Sequence, residues 1–154
     1  MSFLIQHGRA GKVRDIIMTH NEADAVIFLG DGERDIDSVA ESFPEKKFFC
    51  VCGNCDLYSQ NPETRLEFFA GKRVYCTHGY LEKVKYGDDL LFETGVSKGA
   101  DIILYGHTHR PVTDYRSGVY IMNPGTASMG EYGFVDITSA GIVCSLCKIL
   151  KVNY

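Results

Sequence analysis

The chain has 154 residues, 45% of them apolar and 23% charged, with a formal net charge of −4. One domain of this size hides roughly 68–70% of its unfolded-chain surface. The acidic balance and a pI near 5.7 speak against a broad nucleic-acid-binding face, though not against a small phosphorylated substrate held by metal. No apolar run exceeds strand length, so no membrane span is expected. The first residues, Met1 to His7, lack the basic and long apolar regions of a secretory signal. With six cysteines and no such signal, the thiols read as free, and a cytoplasmic location is expected.

Residues 2–6 read as a first strand, followed by a loop from Gly8 to Gly11 and helical spacing of Val13, Ile16, Ile17 and His20. Ala25 to Leu29 is a second buried strand ending at Gly30-Asp31. A helix with Ile36, Val39, Ala40 and Phe43 on one face runs up to Pro44. Lys47 to Cys52 is a third strand, ending at Gly53-Asn54-Cys55-Asp56. Leu66–Phe69 and Val74–Thr77 form a hairpin around Ala70-Gly71-Lys72, and the second arm ends at His78-Gly79. Asp88 to Lys98 is helical. Ile102 to Tyr105 is a strand ending at Gly106-His107-Thr108-His109. After Pro111, Val112–Tyr115, Val119–Met122, Gly133–Thr138 and Ile142–Leu150 read as antiparallel strands, with turns at Ser117-Gly118 and Ser139-Ala140-Gly141. No repeat, low-complexity tract or linker interrupts the order. It predicts βαβ units and then a β-rich half, hence two sheets with helices outside in a single domain over 1–154.

The chemistry gathers at strand ends. His7, Asp31, Asn54, His78, His107 and His109 each lie just past a strand in a glycine-containing turn, and only His20 among the five histidines does not. Glycine lets the backbone bend and approach a shared ligand. One carboxylate, one amide oxygen and several imidazoles form a mixed O/N donor set suited to Mn, Fe, Zn or Ni. Two such ions roughly 3.5–4 Å apart can bridge a hydroxide and clamp a phosphoryl group.

Each residue taken singly has a plainer reading. Asp31 can cap the helix that begins near Glu33, and Asn54 can hold its own turn. His78 alone suits a hydrogen-bonded core or loop position, and His20 suits a helix C-terminus. Cys52-x-x-Cys55 and Cys144-x-x-Cys147 suggest zinc, but an odd separation on a strand sends Cys144 and Cys147 to opposite faces. Arg9, Arg34 and Arg110 follow motifs closely enough to hold a phosphate, or are solvated surface arginines.

Taken together, Gly30-Asp31, Gly53-Asn54-Cys55-Asp56, Thr77-His78-Gly79, Gly106-His107-Thr108-His109 and Asn123-Pro124-Gly125-Thr126 resemble, in order, the motifs of calcineurin-like metallophosphoesterases. The closest likeness is to small single-domain bacterial and archaeal phosphodiesterases, and it covers nearly the whole chain. The resemblance implies an α/β fold, a four-layer αββα sandwich of two mixed sheets. It implies a dinuclear centre of divalent ions, Mn first among them, acting on a small phosphate ester. Asp31 would bridge the two ions. Asn54, His78 and His107 would complete one site, and His7 and His109 would serve the other. Asn54 and His107 would also neutralise charge on the phosphoryl oxygens, and Asn123-Pro124-Gly125-Thr126 would support the histidine loop.

Two departures stand out. The family's first motif, Asp-x-His-Gly, is Ile5-Gln6-His7-Gly8 here, and isoleucine cannot ligate, so one metal is expected to bind weakly or not at all. Cys55 replaces a histidine that in many relatives protonates the leaving group, and a thiol is the poorer acid for an alkoxide. The first departure motivates an alternative, a non-catalytic protein-interaction scaffold, because the retromer small subunit resembles this family and uses the fold in that way. The sequence leaves the oligomeric state open, a homo-oligomer included.

Overall fold

The computed structural model describes residues 1–8 and 12–150. In chain order the elements are β1 (Ser2–Gln6), α1 (Val13–Thr19), β2 (Ala25–Phe28), α2 (Glu33–Glu41), β3 (Lys47–Cys50), β4 (Thr64–Phe69) and β5 (Lys72–Thr77). They continue with α3 (Asp89–Ser97), β6 (Ile102–Leu104), β7 (Val112–Arg116), β8 (Val119–Asn123), β9 (Glu131–Thr138) and β10 (Gly141–Lys148). Two short 3₁₀ turns, Val84–Tyr86 and Ala127–Met129, complete the list.

One sheet runs β10-β9-β1-β2-β3 and the other β4-β5-β6-β8-β7. The strands of β1, β2 and β3 are parallel, as are β5, β6 and β8. The late strands do not form an antiparallel half of their own. β8 pairs with β7 antiparallel but with β6 in parallel, and β9 crosses to the other sheet to pair with β1.

Strand alternation builds the layers. Phe3, Ile5 and Ile27 point between the sheets, where they meet Val74, Cys76, Ile102, Leu104 and Met122 from the second sheet. Leu4, Val26 and Phe28 point the other way, beneath Val13, Ile16 and Ile17 of α1 and Ile36 and Val39 of α2. On the far side, Tyr75, Ile103 and Ile121 pack under Leu91 of α3. A central strand buried on both faces is apolar where it is covered, which is why Phe3–Ile5 of β1, β2 and β6 are short hydrophobic runs. The result is the four-layer αββα sandwich.

The cysteine pair of β10 behaves as its spacing requires. Cys144 packs on the layer between the sheets, while Cys147 packs on the α1 side. Ile5 is fully buried in the central layer, in register with Ile27 and against Gly133.

Candidate metal centre

Because the parallel strands of each sheet share a direction, the loops leaving them gather at one edge of the sandwich. Backbone hydrogen bonds lock these loops to one another: Gly8 N–H to the Gly30 carbonyl, Gly106 N–H to the His78 carbonyl, and Ala127 N–H to the His7 carbonyl. Glycine is needed where loops cross. A Cβ on Gly53 would collide with the Asp31 carboxylate, and one on Gly106 would enter the His7 ring.

The six candidate residues fall into two overlapping groups. His7, Asp31 and His109 present ligand atoms within 4.8 Å of one another, and so do Asp31, His78 and His107. Asp31 belongs to both. Asn54 joins the second group, with its Oδ1 2.9 Å from His78 Nε2. Asp31, His107 and His109 all adopt positive φ (62°, 66° and 58°). For residues with a Cβ that backbone is costly and survives only where the surroundings impose it, a pattern typical of functional sites.

His78 is the organiser. Its Nδ1 lies 2.8 Å from the Leu29 carbonyl oxygen, which accepts only an N–H. When the ring is neutral, the form that ligates a metal, Nε2 is therefore the bare lone pair. Around it stand Asn54 Oδ1 at 2.9 Å, His107 Nδ1 at 3.0 Å and Asp31 Oδ2 at 3.3 Å. With His107 Nδ1 also unprotonated, these four atoms offer converging lone pairs, an arrangement that a cation can hold together. The donor set fits a divalent ion of the Mn, Fe, Zn class.

Electrostatics prepare the carboxylate. Burial works against the charged form of Asp31, but the His78 contact, the Cys55 N–H at 3.0 Å and the nearby imidazoles outweigh it and hold the group well below the usual carboxylate range. Burial first, and the other imidazoles second, push His7 down to about 3, and burial lowers His107 as well. Both rings are therefore neutral near pH 7, the form that ligates.

The other group is less complete. His7 is fully buried, with Nε2 accepting the His107 N–H at 3.1 Å and lying 3.9 Å from Asp31 Oδ2. Its Nδ1 finds no hydrogen-bond partner among the described residues. Ile5 contributes no oxygen from the apolar interior. His109 is exposed.

The plainer reading of Asp31 does not hold. The N-cap of α2 is Gly32, and Asp31 makes no capping bond. That work falls to Asp56, whose carboxylate accepts the N–H groups of Asp31, Gly32, Glu33 and Gly53 at 2.8–3.1 Å. The sequence reading assigned Asp56 no role, and its only signal was its place in the Gly-Asn-Cys-Asp turn. Asn123 acts as the motif implied, its Nδ2 donating to the Gly106 carbonyl and to Thr108 Oγ1, both at 3.0 Å. Glu82 was also missed. It is buried, accepts from Tyr75 and Thr77, and so braces the end of β5 beneath His78. His20 caps α1 and bridges Glu22 and Tyr132, away from the cluster. Arg34 and Arg110 line clefts beside the cluster. Arg9 lies outside the described residues.

Residues 6–140 match the family described as Calcineurin-like phosphoesterase superfamily domain. The chain belongs to the calcineurin-like phosphoesterase superfamily. Its relatives include Bacillus subtilis YsnB, a probable metallophosphoesterase, 27% identical over 78% of this chain and 69% of that protein. Another is the Escherichia coli phosphodiesterase YfcE, 31% identical over 64% of this chain and 58% of that protein. The chain therefore spans little more than half of YfcE. Among solved structures, a predicted phosphoesterase from Streptococcus pneumoniae superposes with a TM-score of 0.81 at 23% identity, covering 96% of this chain and 88% of that one. Vps29 from Entamoeba histolytica, in complex with zinc, gives 0.76 at 16% identity over 96% and 99%. These likenesses show the fold. Phosphoesterases of this superfamily are metal-dependent hydrolases, and the converging His, Asp and Asn side chains are this chain's candidate ligands.

Proposed function

We propose that this chain is a metal-dependent phosphoesterase acting on phosphodiesters, with a strong cation site at Asp31, Asn54, His78 and His107 and a weaker one at Asp31, His7 and His109. The observation that carries the reading is Asp31, a single carboxylate within reach of both groups. Mn²⁺ is the first choice for the donor set, with Fe, Zn and Ni also suited to it. Divalent cations bound there supply Lewis acidity and a deprotonated water as nucleophile.

The chain's own groups do the rest. Leu29 fixes the His78 ring, and Asp56 fixes the Asp31 turn. Asn54 and His107 stand where they can bear on the charge that develops on the phosphoryl oxygens. Cys55 is exposed at the mouth, where the negative charge of Asp31 first, and burial second, raise its thiol above its ordinary value. It is a weak proton donor for an alkoxide, so esters of acidic alcohols are the favoured substrates. No helix among the described residues is long and apolar enough to cross a membrane, and the free thiols support a cytoplasmic location.

The test is turnover of bis(p-nitrophenyl) phosphate by the purified protein with Mn²⁺. Steady hydrolysis, abolished in Asp31→Asn, is expected. Silence with Mn²⁺, Fe²⁺, Zn²⁺ and Ni²⁺, together with an equally silent Ile5→Asp variant, would overturn the reading.

A non-catalytic scaffold is the second reading, favoured by Ile5 in the apolar interior and by the engagement of His7 Nε2 with the His107 N–H. Metal content separates the two. About two ions per chain favour the enzyme, one is ambiguous, and none favours the scaffold.

A further inference from the structure

Two clefts flank the candidate metal centre, and their charge differs in sign. One, of about 390 Å³, is bounded by Asp31, Glu33, Asp35 and Asp56, with Arg34 as its lone cation. The other, of about 480 Å³, lies between the loop after β5 and the loop after β6. Its walls carry Lys85 and Arg110 beside the apolar surfaces of Tyr105, Val84 and Val112, and Thr108 of the His107-Thr108-His109 turn joins it to the cluster.

Neither cation is spoken for. Among the described residues, Lys85 and Arg110 enter no ion pair. The one acid on this wall, Asp88, is engaged by two guanidinium contacts from Arg116 at 3.0 and 3.3 Å, a guanidinium it shares with Asp89 and Asp114, and makes no ion pair with Lys85 or Arg110. Two cations without ion-pair partners beside an apolar wall leave this cleft with side chains free to meet an anion next to the candidate metal centre.

We propose that this second cleft receives one half of the phosphodiester and that Lys85 and Arg110 bind an anionic group, a carboxylate or a phosphate, carried by that half. The inference rests on the phosphodiesterase reading and narrows it. The preferred substrate has a second negative charge beyond the diester itself, attached through a planar or apolar body that lies against Tyr105 and Val112. The opposite half enters the acidic cleft and is neutral or cationic. A bidentate guanidinium and a flexible ammonium suit either oxyanion.

The experiment compares phenyl 4-carboxyphenyl phosphate and phenyl 4-phosphonophenyl phosphate with phenyl 4-carbamoylphenyl phosphate, which matches the first in shape and lacks its added charge. On the Mn²⁺-loaded protein, KM for the charged esters is expected to be lower by at least about fivefold, the scale of an accessible ion pair. The kcat ratio should change little, and the KM ratio should fall toward one in Lys85→Met/Arg110→Met. The two charged esters distinguish carboxylate from phosphate recognition. Calorimetry supplies a readout free of turnover: 4-carboxybenzylphosphonate should bind more tightly than its carboxamide, and the double variant should abolish the difference. If neither ester is hydrolysed but this binding difference is present, the activity reading fails and the cleft assignment stands. Equal KM values and equal binding for charged and neutral ligands in the wild type, or a preference that survives in the double variant, would overturn the assignment.

Discussion

His78 Nδ1 and the Leu29 carbonyl oxygen meet at 2.8 Å, a contact between the end of β5 in one sheet and the residue just past β2 in the other. It both ties the sheets together and dictates the tautomer, since a carbonyl can only accept. Its consequence is measurable. In the metal-free protein at pH 7.5, nitrogen-resolved NMR should show His78 protonated at Nδ1 and bare at Nε2, and Mn²⁺ or its diamagnetic substitute Zn²⁺ should perturb Nε2. An Nε2-protonated ring would disconnect His78 from cation binding.

Asp56 offers a test of positioning without ligation. Its carboxylate takes four backbone N–H groups from two loops, and none of them has another partner of that quality. Asp56→Ala leaves buried or half-buried donors unpaired, at a cost of about 3 kcal/mol in unfolding free energy. Asp56→Asn, which keeps one acceptor oxygen, should lose less. Urea unfolding gives both values. Calorimetry should show weaker cation binding in Asp56→Ala, because the Asp31 turn loses its anchor while every ligand remains.

The clustering of the candidate ligands at strand ends was legible because two local signals coincide there, an apolar run of strand length and a glycine that ends it. His78 and His107 sit where that rule puts them. Whether Asp31 caps α2 or ligates was not legible locally, since the answer lies with Asp56, 25 residues onward. Nor could a reading of local propensity anticipate left-handed backbone at Asp31, His107 and His109, because the tertiary crossing of loops imposes it. The same limit applies to sheet membership. β8 and β9 have the alternation of antiparallel strands, yet β8 also lies parallel to β6, and β9 leaves for β1. Lys85 and Arg110 carry no periodic signal, and only the fold brings them to one cleft.

Burial of His7 carries a pH signature. Its pKa lies near 3 when folded against an ordinary 6.5, so between those values the unfolded chain holds more protons than the native one. Stability therefore rises with pH across this window, is unaffected by His7 above it, and is lost as pH falls from 6.5 toward 3. The loss between pH 7 and pH 5 amounts to about 2 kcal/mol from this group alone, and His107, lowered in the same direction, adds to it. Asp31 plays no part there, because its folded pKa lies below its ordinary 3.8 and its contribution is lost only in stronger acid. Urea unfolding in the presence of a chelator at pH 7 and pH 5 measures the slope. His7→Gln, which does not titrate, should flatten it.

Ile5 decides how many cations the wild type holds tightly. It occupies the apolar layer with Ile27, Leu29 and Met122, while His7, two residues on, lies with Asp31 and His109. With three donors in that group and the His7 Nε2 already engaged, the wild type should bind one cation tightly and a second weakly. Ile5→Asp should move both terms in opposite directions. Without metal, a carboxylate in the interior costs about 4 kcal/mol, and the variant should unfold at lower urea. With metal, the new anionic oxygen should convert the weak site into a strong one. Each tightly bound ion at a hundredfold excess over its Kd returns about 2.7 kcal/mol, so the thermal midpoint should rise more on Mn²⁺ addition in the variant than in the wild type. Metal analysis after gel filtration should then find about two ions per chain instead of one. An unchanged single-site isotherm in a folded Ile5→Asp protein would show that position 5 does not face the centre, and the weak site would have to be credited to His7 and His109 alone.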